Sequence, residues 1–474
     1  MPQSKPNILI LMPDQMRADS MSGVGHPMIR TPNMDRLCAE GTRFPNAVTT
    51  CPLCMPARAS FANGLYSHNH NMWSNLGRMA AHDETFFQIL EKHGYYTAHI
   101  GKSHYYEHRG KHMRLEEPYM HARGFDFVHE VTGPWATATT PSYMTDEWDR
   151  HCLYDVFKQD YAKRKKQGPC SVWPSPLPTD LFLDSYVGAQ AEKFIKTYDR
   201  DKPFCLFTGF GGPHEPWDAP GEYAKMYPPE NTPPPMPAEP LNDWLTDTAR
   251  ERTLHGRVQH MSVEDIRRIR ANYFGKISLI DHWFGRIIAA CEERGFWKDL
   301  LVVFWSDHGE MLGDHGRLHK NVFYESSILF PFVFRWPGRI PQGATSQALA
   351  QQIDTFPTLL EFAGAEPSTR CQGRSLVPVL SGASQSVRET ALSEHANMGE
   401  NDRNYMIRTL THKYATDRQG RGTMLFDLEE DPNEQVNLIG RKNSRKLETE
   451  MHEKLFLTLS DTQPNMVDDP GWKP

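Results

Sequence analysis

The sequence predicts an α/β fold built on parallel strands whose carboxyl ends carry the chemistry. Continuous apolar runs of strand length, Asn7–Met12, Phe204–Thr208 and Leu301–Trp305, read as strands buried on both faces. Each ends in polar residues: Pro13-Asp14-Gln15, Gly211-Gly212-Pro213-His214-Glu215-Pro216 and Ser306-Asp307-His308-Gly309. Helical patterns separate the runs, so their ends can converge at one sheet edge, where open α/β sheets place ligands.

The totals bound the rest. A chain of 474 residues exceeds one ordinary core, so a large domain plus a smaller one is expected. With 39% hydrophobic and 23% charged residues it is globular, and no apolar stretch is long enough to span a bilayer. A net charge of -7 gives no general attraction to nucleic acid or an anionic membrane. The basic run Lys163-Arg164-Lys165-Lys166 reads as a solvated face. Met1-Pro2-Gln3-Ser4-Lys5-Pro6 leads straight into the first strand with no signal peptide. Eight cysteines without a framework, and no Asn-x-Ser/Thr sequon, fit a reducing compartment. The expectation is a soluble cytoplasmic protein.

In chain order, Asn7–Met12 delivers Asp14, which reads either as a turn former or as a ligand at the sheet edge. Thr31 to Gly41 reads as a short helix with a Thr cap, Pro at its first position and a Gly stop. The loop Ser67 to Asn75 holds His68 and His70, which read as part of a mobile surface or pocket rim rather than a metal pair. A helix from Thr85 to His93 and a strand at Thr97–Ile100 lead to Gly101-Lys102-Ser103-His104. A phosphate loop is excluded there, because Tyr96 stands where the first glycine is required. Lys102 and His104, two apart in extended chain, would share one face and reach one anion.

Residues 105 to 180, rich in aromatics and proline, are expected to form loops and short helices that shape a pocket. A helix around Ser185 to Tyr198 precedes the strand ending at His214, which two prolines hold in a manner suited to proton transfer or to a structural role. Residues 215 to 262 read as a Pro-rich insertion, and Ile266 to Glu293 as a long packed helix. Asp307-His308 at a strand end is a common metal pair, with Lys320 following. A strand at Phe330–Trp336 and a helix from Asp354 come next. Tyr405–Ala415 and Met424–Leu428 read as antiparallel strands, and Ser444 to Leu459 as a closing helix capped by Ser444.

The most informative stretch is Cys51-Pro-Leu-Cys54-Met-Pro56-Ala57-Arg58-Ala-Ser-Phe-Ala-Asn-Gly64. Pro56 suits a first helical turn and Gly64 a helix end, placing Cys54 just before a helix N-terminus and Arg58 one turn on. Unpaired N–H groups and the dipole there stabilise a thiolate, an oxyanion or an anionic ester. A small buried cysteine is one alternative. A Cys-x-x-Cys redox or zinc pair is disfavoured, since no second pair follows at zinc spacing.

Cys54-x-Pro56-x-Arg58 with Gly64 resembles the signature of the type I sulfatases of the alkaline phosphatase superfamily. The resemblance extends along the chain through Asp14, Thr31-Pro-Asn-x-Asp35, Gly101-Lys102-x-His104, Pro213-His214, Ser306-Asp307-His308-Gly309, Lys320-x-x-x-Tyr324-Glu325 and Leu425 to Glu434. It implies a large mixed, mostly parallel sheet sandwiched by helices, then a smaller C-terminal antiparallel sheet with one helix. The expected division is a catalytic domain over 1–370 and a subdomain over 371–474. It also implies oxidation of Cys54 to formylglycine by a formylglycine-generating enzyme, and one divalent metal bound by Asp14, Asp307, His308 and modified Cys54. Calcium is the first choice, with Mn²⁺ or Mg²⁺ as alternatives. Arg58 and Lys102 would hold the formylglycine hydrate, Lys320 the ester oxyanion, His214 would protonate the leaving oxygen, and His104 would act as base.

The departures are Gln15 and His308, where many sulfatases have Asp and Asn, and Ala57 where the common version has Ser. All three resemble the phosphonate monoester hydrolase branch and some bacterial sulfatases, and Asn75 falls where that branch has a pocket Asn. The expected activity is hydrolysis of a small anionic sulfate ester. Hydrolysis of phosphonate monoesters or phosphodiesters on the same site is the alternative. A non-catalytic relative would be expected to have lost some of these residues. Neither a nucleic acid nor a membrane partner is expected; a homo-oligomer is compatible with the sequence.

Overall fold

The computed structural model describes residues 5–258, 261–396 and 402–463, so the first four residues of the N-terminal reading lie outside it. Among the described residues the strands form two sheets. The larger contains β1 (Asn7–Asp14), β2 (Thr42–Arg43), β3 (Tyr96–Gly101), β4 (Phe127–Glu130), β5 (Phe204–Pro213), β6 (Leu300–Trp305), β7 (Phe332–Arg335) and β8 (Ala344–Thr345), in the order β4-β3-β5-β1-β6-β7-β2-β8. From β4 to β6 all pairings are parallel, whereas β7 runs antiparallel to β6 and β2.

Alternation along the central strands explains why they read as continuous apolar runs. Leu9 and Leu11 of β1, and Leu300, Val302 and Phe304 of β6, enter one core; Ile8, Ile10, Leu301, Val303 and Trp305 enter the other. The first core is covered by the helices Leu183–Thr197 and Val263–Glu293, the second by Cys54–Asn63, Phe86–Lys92 and Thr355–Ala363. Truncating a fully buried side chain such as Phe304 to Ala would cost about 3–5 kcal/mol.

The smaller sheet comprises β9 (Ala391–Ala396), β10 (Arg403–Arg408), β11 (His412–Thr416) and β12 (Gly422–Asp427), antiparallel in the order β12-β11-β10-β9. One face packs Met406, Ala415 and Phe426 against Val48, Met311 and Tyr324 of the large-sheet unit. The other packs Ile407, Tyr414 and Leu425 against Met451 and Leu455 of the final helix Arg445–Asp461.

Local details differ from the sequence reading for physical reasons. The run Tyr405–Ala415 is two strands, because Thr409 turns the chain by accepting from the His412 N–H at its Oγ1. Helix Pro32–Glu40 is not capped by Thr31; the Asp281 carboxylate, from the long helix, accepts from the N–H groups of Asn33 and Met34. Gly41 is not in a left-handed stop but extended (φ -137°), and a Cβ there would lie 2.4 Å from the Phe334 carbonyl oxygen. Ser444 occupies the cap position of the last helix without a side-chain cap bond. The long helix starts at Val263, with Ser262 and Asp265 capping reciprocally. Residues 105 to 180 hold an unforeseen edge strand, β4, among their helices. No described helix is long and apolar enough to cross a membrane.

Candidate active site

The helix Cys54–Asn63 starts at Cys54 itself, earlier than the sequence reading that places Cys54 just before it, and it ends at left-handed Gly64. Leu53 offers no side-chain cap, so the Met55 N–H is met by Asn75 Oδ1 at 3.0 Å. Asn75 therefore positions the helix that carries Cys54, whatever else it touches.

The ends of β1 and β6 bring Asp14 and Asp307-His308 beside that helix start. Cys54 Sγ lies 3.3 Å from His308 Nε2 and 3.7 Å from Asp14 Oδ1. Arg58, one turn into the helix and fully buried, donates from Nε to Asp307 Oδ2 at 2.9 Å and from Nη2 to Asp14 Oδ2 at 3.0 Å. Lys102, just after β3, donates to the same Asp14 oxygen. Burial disfavours the Asp14 carboxylate, but Lys102 and Arg58 outweigh it and hold the carboxyl well below its ordinary range. Burial pushes His308 down, against the pull of Asp307, and so favours the neutral imidazole that can ligate; its Nδ1 lies 2.9 Å from the Gly309 carbonyl oxygen.

A second arm adjoins the first through Gln15, a fully buried residue at φ +65°. Its backbone N–H donates to Asp307 Oδ1 at 2.9 Å, while its side chain leaves the carboxylates and joins other partners. Its Oε1 accepts from Lys320, and its Nε2 donates to Glu215 Oε2 at 2.9 Å and to Glu310. Lys320 Nζ is 2.8 Å from His214 Nε2, and His214 Nδ1 is 2.7 Å from the Glu215 carbonyl oxygen and 3.2 Å from its carboxylate. Lys276 from the long helix donates to the His214 carbonyl oxygen at 2.7 Å. Burial works against the Lys320 ammonium, yet Glu215 outweighs it and raises its pKa.

Every predicted site residue but two thus falls into one contiguous polar centre by direct contact; Asn75 stands behind it on the Met55 N–H, and His104 enters it electrostatically. It is not in the expected extended chain: at φ +57° it turns to stack on His108, ring centroids 4.9 Å apart. Burial, then the Lys102 charge, push its pKa well below the ordinary imidazole value. The His68–His70 loop is not a mobile rim. It forms a short helix in which His68 pairs with Glu394 at 2.8 Å and His70 lies 3.0 Å from Ser60 Oγ. Sequence reading missed Glu215, Glu310 and His319 as a second group of acids and imidazole beside Gln15. The signal was their adjacency in sequence to His214, His308 and Lys320.

One ligand atom each from Asp14, Cys54, Asp307 and His308 lies within 4.8 Å of the others, all four residues buried. Asp14 Oδ1 meets only the Cys54 thiol among the described residues. Two carboxylates and an imidazole, with residue 54 beside them, form a donor set that fits a divalent cation bound mainly through oxygen.

The family model described as "Sulfatase" matches residues 6–365, and one described as "N-sulphoglucosamine sulphohydrolase, C-terminal" matches residues 313–461. An arylsulfatase from Clostridium perfringens is 30% identical over 468 residues, covering 93% of this chain and 92% of that one. A multifunctional alkaline phosphatase superfamily protein, PehA, from Trinickia caryophylli is 30% identical, covering 92% of each. The crystal structure of a phosphonate monoester hydrolase from Agrobacterium radiobacter shares the fold with a TM-score of 0.77 over 97% of this chain and 96% of that one, at 24% identity. Matched from its first strand through the helix Thr355–Ala363, and again across the small sheet, the chain belongs to the sulfatase family, the hydrolases of sulfuric esters.

Proposed function

We propose that the chain hydrolyses sulfate esters at residue 54 after oxidation of Cys54 to formylglycine, with one divalent cation held by Asp14, Asp307, His308 and the oxidised residue. The observation that carries this reading is the placement of Cys54 Sγ, at a helix start, against His308 and Asp14 with Arg58 and Lys102 locked to the same carboxylates. Formylglycine supplies a hydrated aldehyde as oxygen nucleophile, and the cation, with calcium the first choice, supplies Lewis acidity toward the ester oxygens.

The chain's own groups do the rest. Arg58 and Lys102 fix the carboxylates and present positive charge to an anionic ester and to the oxygen on residue 54. Lys320 keeps its ammonium and binds the ester oxyanion. His214 faces the leaving oxygen with Nε2 and gives it a proton when the ring carries one on each nitrogen, while the Glu215 carbonyl and carboxylate oxygens accept from Nδ1–H and hold the ring. His104, kept neutral by its surroundings, takes a proton as base. Cys54 is 1% exposed in the finished fold, so the maturation enzyme must reach it before the helix is packed.

Phosphonate monoester or phosphodiester hydrolysis on the same site is the second reading. It is favoured by Gln15, which withholds a third carboxylate from the centre, by Ala57, and by the shared fold with a phosphonate monoester hydrolase. The division into a catalytic unit over 1–370 and a C-terminal subdomain over 371–474 is supported by the separation of the eight-stranded sheet, which ends at Thr345, from the four-stranded sheet, which starts at Ala391. Eight free cysteines fit action in the reducing cytoplasm.

The test is a paired kcat/KM measurement on an aryl sulfate and an aryl phenylphosphonate, using protein co-expressed with a formylglycine-generating enzyme and Cys54→Ala as control. Sulfate preferred supports the first reading and phosphonate preferred the second. No turnover above the Cys54→Ala background on either would contradict both.

A further inference from the structure

A cavity of about 680 Å³ lies beside the catalytic centre, within the range of about 300–1,000 Å³ typical of small-molecule sites. Its walls come from residues 135–171 together with Glu215, Pro216, Trp217 and His319. Two contacts join it to the reacting groups on opposite sides. Glu215 and His319 lie in its wall, and Glu215 is the residue that holds Gln15 and His214. Gly133, two residues before Trp135, packs so closely on Lys102 that a Cβ there would stand 2.9 Å from Lys102 Nζ. The cavity thus adjoins the centre through Glu215 and His319, and the segment that carries Trp135 into its wall is the one packed on Lys102.

The walls combine aromatic and small residues with a polar rim that includes Lys158, Lys165 and Glu215. Tyr161 and Trp217, 3% and 1% exposed, form a packed floor, and Trp135 stands edge-on to Tyr161 with ring centroids 5.4 Å apart. Trp135 is only partly buried, and Ala138 and Ala162 beside it leave room. The basic run has a different role from a solvated face at one position. Arg164 is fully buried, stacked 4.4 Å from the Trp173 ring and donating to the carbonyl oxygens of Trp173, Pro174 and Trp217. It ties the loop at one end of the cavity to its floor, so the cavity is built into the fold.

We propose that this cavity is the subsite for the organic half of the ester, and that it takes an aromatic ring which lies against Trp135. The inference rests on the hydrolase reading for the position of the ester, but not for the existence of the ring site. A ring of this size buries its apolar face on an aromatic wall, a contact that a short alkyl group cannot make. Trp135 is then a specificity-determining residue outside the proton-transfer and metal-binding groups.

The experiment has two arms. In the first, kcat/KM is measured for 4-nitrophenyl sulfate and ethyl sulfate, or for the matching phosphonates, with wild type, Trp135→Ala, Trp135→Phe and Ala162→Trp. Trp135→Ala is expected to lower the aryl value about tenfold, mainly through KM, with Trp135→Phe restoring most of it. Ala162→Trp, an exposed position that fills the cavity without touching the core, is expected to do the same. The ethyl value should stay unchanged in every variant. In the second arm, 4-nitrophenol binding to Cys54→Ala protein is measured by calorimetry, with and without Trp135→Ala. Binding lost with Trp135 supports the ring site even if no ester is hydrolysed, which separates its fate from that of the hydrolase reading. Aryl and ethyl values that move together, or phenol binding indifferent to Trp135 and to a tryptophan at 162, would overturn it.

Discussion

Two buried clusters of charge, one at the carboxyl edge of the large sheet and one under the small sheet, are built from the same residue types and do different things. In the second, Glu325 accepts from Arg408 Nη2 at 2.9 Å and Lys413 Nζ at 3.1 Å, and Lys413 also pairs with Glu434. Glu434 Oε2 in turn accepts from the Glu325 N–H at 2.7 Å. The cluster closes on itself and staples Tyr324-Glu325 to β10 and β11. At the large-sheet edge, Arg58 and Lys102 occupy one side of Asp14 and Asp307, while Asp14 Oδ1, Cys54 Sγ and His308 Nε2 converge on one another. Buried charge that is fully paired is architecture; buried donors left facing each other mark a place for something else.

That contrast can be broken most easily at residue 54. Cys54→Ala removes the proposed nucleophile and is expected to reduce kcat/KM on an aryl sulfate by about 10³-fold or more, while its thermal midpoint stays near wild type. A parallel collapse in stability would mean that Cys54 is packing rather than chemistry.

The closed cluster should answer in the opposite way. Arg408→Ala leaves the partly buried Glu325 beside one cation fewer, and is expected to cost about 2 kcal/mol in urea unfolding, with kcat/KM per folded molecule unchanged. pH sharpens the same point. Burial opposes the Glu325 carboxylate, but Arg408 and Lys413 outweigh it and take its pKa from 4.5 down to about 2. A depressed carboxyl stabilises the fold above its unfolded pKa, so this contribution is complete above about pH 4.5 and is lost as pH falls toward 2. Glu434, raised by burial against the pull of Lys413, works in the opposite sense. Wild type minus Glu325→Gln should therefore lose its stability difference across that window, and a difference independent of pH would contradict the assignment.

The smallest expected effect tests a cap. Asp281→Ala should cost about 1 kcal/mol in urea unfolding, because its carboxylate caps the helix Pro32–Glu40. A loss indistinguishable from zero would show that the Asn33 and Met34 N–H groups do not depend on it.

What the sequence made legible was local. The alternation in β1, β5 and β6 that feeds two cores made them uninterrupted apolar runs, and their ends carried Asp14, His214, Asp307 and His308 in plain view. Cys54, Arg58 and Gly64 were legible from helix grammar, and the family resemblance supplied their roles. The rest depended on contacts between distant residues. Asn75 caps the Cys54 helix from 20 residues away, and Asp281 caps another across 248 positions. Strand β4, four residues with only alternate burial, sits at the sheet edge and carries too short a pattern to read. Gln15 in a left-handed conformation, steering its amide from Asp307 toward Lys320 and Glu215, has no sequence signature. Nor does the cavity, whose walls come from segments that meet only in the folded chain.

The central claim is that the thiol at residue 54 is the precursor of the nucleophile. Mass spectrometry of the peptide spanning residue 54, from protein co-expressed with a formylglycine-generating enzyme and assayed in the same preparation with and without a chelator, tests it most directly. The expected result is an aldehyde in place of the Cys54 thiol, in a fraction that tracks aryl sulfate turnover, and loss of that turnover on chelation with recovery on adding calcium or manganese. Full turnover from a preparation whose residue 54 is entirely cysteine would contradict it.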